Sequence, residues 1–250
     1  MKITIAGYGF VGKAYHELLK QKYEVTVVDP IWPEYNNPVP QDTDAVIICV
    51  NTPANDDGSC HMDNVHNVIE QSPNVPVLIK STISLEGWYE LVKKFKDYNL
   101  SFSPEFLRAD SAVEDLLTAE EMLIAEDNTL FWSSVFMDND RRLVVRIYKP
   151  EELILAKYFR NSYLALKVSF FNEVYDLCSA LDIDYNEVSE AITLDRRIGG
   201  SHTGITKERG FGGHCFPKDV QAIISTADSN NIDMSILKEA INYNTKIRNK

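Results

Sequence analysis

The feature that most narrows the fold stands at the start of the chain. An apolar, strand-like run from Ile3 to Ala6 passes directly into Gly7-Tyr8-Gly9-Phe10-Val11-Gly12, and a helix-like pattern follows from Gly12 to Gln21. Gly7 permits a tight turn, Gly9 leaves room for a pyrophosphate to approach the backbone, and Gly12 lets the helix pack closely on the strand. The helix N-terminus then offers its unpaired N–H groups to an anion. A second strand-like run, Glu24 to Val28, ends in Asp29, where a carboxylate can bind both hydroxyls of an adenosine ribose. Together these features predict an NAD site built from Gly7, Gly9, Phe10, Val11, Gly12 and Asp29. NADP is disfavoured, because Asp29 would repel a 2′-phosphate.

The same alternation continues. Strand character recurs at Ala45 to Val50, Val77 to Ser81, Leu100 to Ser103, Met122 to Ala125 and Leu143 to Ile147, with helix-like patterns at Met62 to Gln71, Leu85 to Lys96 and Thr129 to Phe136. That order predicts a doubly wound α/β sheet. From Pro150 the character changes. Glu151 to Leu181 contains no glycine or proline and spaces its apolar residues by three and four, which predicts one long helix. Asp184-Tyr185-Asn186-Glu187 has the form of a capping box and predicts another helix ending near Asp195. A glycine-rich loop, Ile198 to Gly213, precedes helices expected from Pro217 and from Met234. The expected division is an α/β domain over residues 1–149 and a helical domain over residues 150–250.

The net charge of −12 argues against a nonspecific grip on nucleic acid or anionic membrane, both of which need clustered cations. No apolar run approaches membrane-spanning length, and the N-terminus enters a strand rather than a signal peptide. A soluble cytoplasmic protein is the expectation. Cys49, Cys60, Cys178 and Cys215 are scattered, without CxxC or Cys/His clustering, so neither a disulfide scaffold nor a metal site is expected.

Cys215 has a distinctive setting, Gly210-Phe211-Gly212-Gly213-His214-Cys215-Phe216-Pro217-Lys218-Asp219. Pro217 favours a first helical turn, so Cys215 falls at or just before a helix N-terminus, where the dipole stabilises a thiolate. The glycines clear the approach, Lys218 adds positive charge, and Asp219 lies one turn on. Two readings stand: an activated nucleophile, or a small buried hydrophobe. The second is the expectation for Cys49 and Cys178, while Cys60 is expected to be exposed in a polar loop. A thiol nucleophile beside an NAD site suggests a double oxidation, from alcohol through aldehyde and thioester to acid.

At this point the chain resembles the UDP-glucose/GDP-mannose dehydrogenase family. Besides the two glycine-rich motifs, the resemblance is carried by VNTPANDDGS (Val50 to Ser59), KSTI (Lys80 to Ile83), SPEFLR (Ser103 to Arg108), AKYFRNSYLALKVSFFNE (Ala156 to Glu173) and DRRIGG (Asp195 to Gly200). It implies a Rossmann-type domain followed by an all-α, 6-phosphogluconate-dehydrogenase-like domain, and NAD-dependent oxidation of a nucleotide-sugar C6 alcohol to a uronic acid. Cys215 is then the nucleophile, and Lys157 with Asn161 stabilise the reacting oxygen. Glu105 is the base for thioester hydrolysis, with Thr82 and Asp219 holding the water. Thr52 and Thr82 border the nicotinamide. Phe106, Leu107, Arg108 and Gly212 join Lys157 and Asn161 in contacting the nucleotide sugar, and Arg196 or Arg197 either meets the diphosphate or forms a surface ion pair.

Two departures stand out. The family pattern continues SPEFLR with glutamate and glycine, where this chain has Ala109 and Asp110. Family members also continue into a second nucleotide-binding domain, so a short form is the expectation. Two other readings stay open, a silent NAD-binding and dimerisation module and a two-electron β-hydroxyacid-type dehydrogenase. The resemblance also implies a homodimer through the long helix, although the apolar residues between Tyr158 and Tyr175 would equally fill a monomer core.

Overall fold

The computed structural model describes residues 1–55, 58–125, 128–137, 143–213 and 215–249. Two compact units divide the chain: Met1–Asn55 with Cys60–Lys157, and Asp56–Ser59 with Tyr158–Lys250.

The first unit contains β1 (Lys2–Ala6), α1 (Phe10–Leu19), β2 (Glu24–Val28), β3 (Ala45–Ile48), α2 (Asp63–Gln71), β4 (Val77–Ile79), α3 (Leu85–Lys94), β5 (Leu100–Phe102), α4 (Ala112–Thr118), β6 (Glu121–Ala125), α5 (Thr129–Met137) and β7 (Val144–Tyr148). β2, β1, β3, β4 and β5 lie in that order in a five-stranded parallel sheet. β3, β4 and β5 are buried along their whole length, as expected of parallel strands covered on both faces. β6 and β7 form a separate parallel ladder. The Ser103 hydroxyl, just past β5, donates to the Leu123 carbonyl at 2.6 Å. Ile3, Ile5, Tyr15, Leu18, Ile47, Leu78, Trp132 and Phe136 belong to one buried cluster that joins the sheet to its helices.

The strand segments and the helices α1, α2, α3 and α5 follow the sequence pattern. α4 was not predicted. Its sequence AVEDLLT buries only Ala112 and Leu116, four residues apart, which is too short a stripe to read against its polar neighbours. α1 supplies the surface on which it packs.

The helix α6 (Pro150–Ala180) starts in the first unit and supplies the second from Tyr158 onward. α7 (Tyr185–Thr193), α8 (Phe216–Ser229) and α9 (Ser235–Arg248) complete the second unit. Asp184 caps α7 by accepting the Asn186 N–H at 2.8 Å, the entry its sequence predicts. Phe171, Cys178 and Tyr185 form one buried cluster, and Val220, Ile223, Ile224, Leu237 and Ile247 bury the inner faces of α8 and α9. Among the described residues, no helix is long and apolar enough to cross a membrane.

Candidate active site

The glycine loop of the first unit is shaped by close contact. Gly7 has φ +96°, and a Cβ there would stand 2.6 Å from the Cys49 carbonyl. At Gly12 a Cβ would fall 1.9 Å from the Gly7 oxygen. Gly9 is different: it caps α1, and nothing lies within 4 Å of where its Cβ would be. The N-terminus of α1 is therefore open to approach. Phe10 is exposed, and Val11 packs against the core. Asp29 is only 7% exposed and accepts the N–H groups of Tyr8 at 2.6 Å and Ile31 at 2.8 Å. A carboxylate has about four acceptor positions, so these two bonds leave room for ribose hydroxyls. The cradle fits a dinucleotide.

Thr52 is buried, and its hydroxyl donates to the Thr82 carbonyl at 2.6 Å. Cys60 reaches the same carbonyl through Sγ at 3.3 Å and is buried. This corrects the expectation of an exposed thiol. The loop closes through a bridge between Ala54 and Cys60 and turns the sulfur inward. Cys49, expected to be a buried hydrophobe, is only half-buried at the edge of the core, and its apolar surroundings push the thiol far above the ordinary range.

Donors converge on Glu105. Its Oε2 lies 3.2 Å from Lys80 Nζ and accepts the Tyr15 hydroxyl at 2.9 Å, while Oε1 accepts the Phe106 N–H at 2.8 Å. The side chains of Lys80 and Glu105 are 3% and 11% exposed. Lys80 Nζ is also 2.9 Å from Ser103 Oγ and 5.0 Å from the Tyr15 ring centre. Lys157 donates to the Glu105 backbone carbonyl, with its ammonium 5.4 Å over the Phe106 ring. Thr82, Phe106 and Leu107 are half-buried, Leu107 against the core. Arg108 is engaged by Asp115 through Nε at 3.0 Å and NH2 at 2.5 Å, and this guanidinium holds the Asp115 carboxyl well below the usual carboxylate range. Lys80 opens the KSTI block but was given no role in the sequence reading, and Tyr15 was not singled out. A lysine closing the apolar run VLIK was the available signal.

In the second unit, Cys215 is exposed at the N-cap of α8, and its carbonyl accepts the Asp219 N–H at 2.8 Å. Asp219 is 1% exposed. Its Oδ2 accepts Asn161 Nδ2 at 2.6 Å, and its Oδ1 lies 3.0 Å from Lys218 Nζ. Asn161, itself buried, stands one turn after Lys157 on α6. The glycine-rich loop is gripped from α9. The Asn244 amide accepts the Phe211 N–H at 2.7 Å and donates to the Phe211 carbonyl at 3.0 Å, and Arg248 donates to the Arg209 carbonyl at 2.9 Å. The Arg248 guanidinium lies where Gly212 would carry a side chain, 2.9 Å from the Cβ position. No sequence motif pointed to Asn244 or Arg248. Arg196 is exposed, and Arg197 pairs with Asp195 at 2.5 Å. A cavity of about 760 Å³, lined in part by Tyr175, Tyr185, Thr203, Lys207 and Arg209, does not include Cys215.

Comparison with known proteins matches residues 34–150 to the UDP-glucose/GDP-mannose dehydrogenase family, NAD binding domain, and residues 152–246 to the central domain of the same family. The chain belongs to the UDP-glucose/GDP-mannose dehydrogenase family. It is 34% identical over 219 residues to the UDP-glucose 6-dehydrogenase of Rickettsia bellii, covering 82% of this chain and 50% of that protein. With the UDP-glucose 6-dehydrogenase of Pseudomonas aeruginosa the identity is 32% over 219 residues, covering 79% and 47%. A UDP-glucose dehydrogenase structure from Pyrobaculum islandicum superposes with a TM-score of 0.83 at 27% identity, covering 98% of this chain and 68% of the other. The chain thus spans about half the length of the curated dehydrogenases it matches. In this family member, Ala109 and Asp110 open a short 3-10 turn that leads into α4.

Proposed function

We propose that this chain carries the oxidising half of a nucleotide-sugar 6-dehydrogenase, turning the C6 alcohol of a UDP-glucose-like substrate into a uronic acid. What supports this reading best is Cys215, exposed at the N-cap of α8, with Asp219 and its buried bond to Asn161 one turn along the same helix. An exposed thiol at a helix start is open to attack a substrate carbonyl carbon.

The alcohol first loses a hydride and a proton to become an aldehyde. Cys215 Sγ adds to the aldehyde carbon, and loss of a second hydride from that carbon leaves a thioester. Water cleaves the thioester and releases the acid and the free thiol. NAD, when bound, supplies the hydride acceptor for each oxidation. Gly7, Gly9, Phe10, Val11, Gly12 and Asp29 would hold its adenosine diphosphate half, with Thr52 and Thr82 toward the nicotinamide. Lys157 and Asn161 donate to the substrate oxygen as it gains charge. Glu105, oriented by Tyr15 and Lys80, is assigned as base for hydrolysis. Thr82 and Asp219 hold the water. Phe106, Leu107, Arg108 and Gly212 are assigned to the nucleotide sugar. The reading includes a domain boundary near residue 150, a cytoplasmic setting, and a homodimer formed through α6.

The test is the chain with NAD and a panel of UDP- and GDP-hexoses, read by absorbance and by product mass. Acid product is expected with at least one sugar nucleotide, and Cys215→Ser is expected to abolish it. NAD binding without reduction by any sugar nucleotide would overturn the reading, and full activity in Cys215→Ser would point to a two-electron dehydrogenase. A silent NAD-binding module is the second reading, favoured by Ala109 and by the engagement of Lys157 with the Glu105 carbonyl. It predicts that Cys215 reacts with a thiol reagent no faster than a free cysteine.

A further inference from the structure

The turn after β2 brings together aromatic and cationic groups for which the dinucleotide fingerprint gives no reason. It folds back on β2: the Asp29 N–H donates to the Tyr35 carbonyl at 2.9 Å, and the Tyr35 N–H to that of Trp32 at 2.9 Å. Three rings meet there. Tyr8, from the glycine loop, makes edge contacts with Trp32 at 6.4 Å and with Tyr35 at 4.9 Å between ring centres. Lys13, from the first turns of α1, places Nζ 4.8 Å from the Trp32 ring centre and 5.6 Å from that of Tyr8. Trp32 is nevertheless 39% exposed. Trp32 is thus held by its neighbours and still partly open to solvent.

The place of this cluster says what that surface is for. In an open parallel sheet, ligands bind beyond the carboxyl ends of the strands where the strand order reverses. Here that point is β1, with β2 on one side and β3 on the other. Asp29 ends β2, so the adenosine half of a dinucleotide belongs on the β2 side, beside the turn that carries Trp32. A purine gains by stacking on an aromatic face, and a cation held over the ring brings positive charge to the same spot.

We infer that Trp32, backed by Tyr8 and through it by Tyr35, is the stacking surface for the adenine ring of the bound dinucleotide, and that Lys13 supplies the cation for its adenosine 5′-phosphate. This rests on the NAD reading of the first unit and adds an adenine clamp to it.

Tryptophan fluorescence of the full chain tests it. Of the three tryptophans, Trp88 and Trp132 are 4% and 0% exposed, so a ligand-induced change reports chiefly on Trp32. NAD and ADP are expected to quench the emission, and nicotinamide mononucleotide, which lacks adenine, is not. By calorimetry, Trp32→Ala should weaken NAD roughly tenfold and Trp32→Phe only about twofold. Lys13→Gln should weaken ADP and leave adenosine unchanged. NAD binding without quenching, or undiminished in Trp32→Ala, would overturn the clamp and leave the cofactor reading intact. Absence of any NAD binding by the native chain would overturn both. Trp32 lies on a surface turn, and near-UV circular dichroism of each variant checks that its fold is kept.

Discussion

Glu105 shows how much one buried side chain depends on its neighbours. Removing a single partner from a buried ion pair typically costs about 3–5 kcal/mol, because the remaining charge is stranded away from water. Lys80→Met should therefore destabilise the chain by roughly 3 kcal/mol in denaturant unfolding, the lower end because Tyr15 and Phe106 still donate to Glu105. Lys80→Met with Glu105→Gln, which removes the stranded charge and keeps an amide to pair with Tyr15 and Phe106, should recover most of that loss. A double variant as unstable as the single one would show that the lysine acts through packing instead. Glu105→Gln tests the assigned chemistry separately: acid release should slow, and intact-protein mass should show a sugar adduct on Cys215 during turnover. Two histidines set a pH dependence. Burial lowers the His202 pKa, with Lys167 adding to the effect, and burial also lowers that of His16. In the unfolded chain both return to about 6.5. The folded state thus binds fewer protons just below that value, and this contribution is full above about pH 6.5 and is lost as pH falls through the folded pKa values. The melting temperature should drop between pH 7.5 and 5.5, and His202→Gln should reduce the drop.

At the scale of elements, the loop that carries Cys215 is held by α9. Asn244 bonds both the N–H and the carbonyl of Phe211, and Gly210, at φ +57°, leaves no room for a Cβ, which would stand 2.1 Å from Asn244 Oδ1. Asn244→Leu leaves the buried Phe211 N–H and carbonyl without that partner, at about 1–3 kcal/mol for each unsatisfied group. The expected outcome is lower stability together with faster amide exchange across residues 209–213, whereas exchange in β1 and β3 should change only as global stability does. Equal acceleration everywhere would show that Asn244 has no local hold on the loop. This grip was illegible in the sequence, since an asparagine inside a helix has no signature until its partner backbone is placed beside it. The same is true of Tyr15 and Lys80 on Glu105, which are 90 and 25 residues away along the chain. What could be read were local rules: period-two and period-three-to-four apolar spacing, the glycines that close contact demands at positions 7 and 12, the Asp184 cap and the proline that starts α8. Cys60 was misread for the complementary reason, because its burial comes from a loop closure that polar neighbours conceal.

For the molecule as a whole, the unusual surface is that of α6. Tyr163, Phe170 and Leu177 recur every seven residues, are 62%, 55% and 61% exposed, and continue a line from Phe159 one turn earlier. Seven residues are close to two helical turns, so these side chains form one stripe. An apolar stripe of this kind on an isolated chain marks an interaction surface, and a second copy presents the same stripe in a self-complementary arrangement about a two-fold axis. The net charge of −12 opposes that pairing through long-range repulsion, which salt screens. The homodimer reading therefore predicts a solution mass near twice 28.4 kDa by light scattering, with a dimer that tightens as ionic strength rises. Tyr163→Asp with Phe170→Asp should reduce the mass to that of one chain at every salt concentration, because two carboxylates would have to be buried against their own symmetry mates. The exposed positions make these substitutions tolerable in the monomer, so circular dichroism should be unchanged. A native chain that runs as a monomer at high salt would remove α6 as the pairing surface, and a double variant that still dimerises would place the interface on another face.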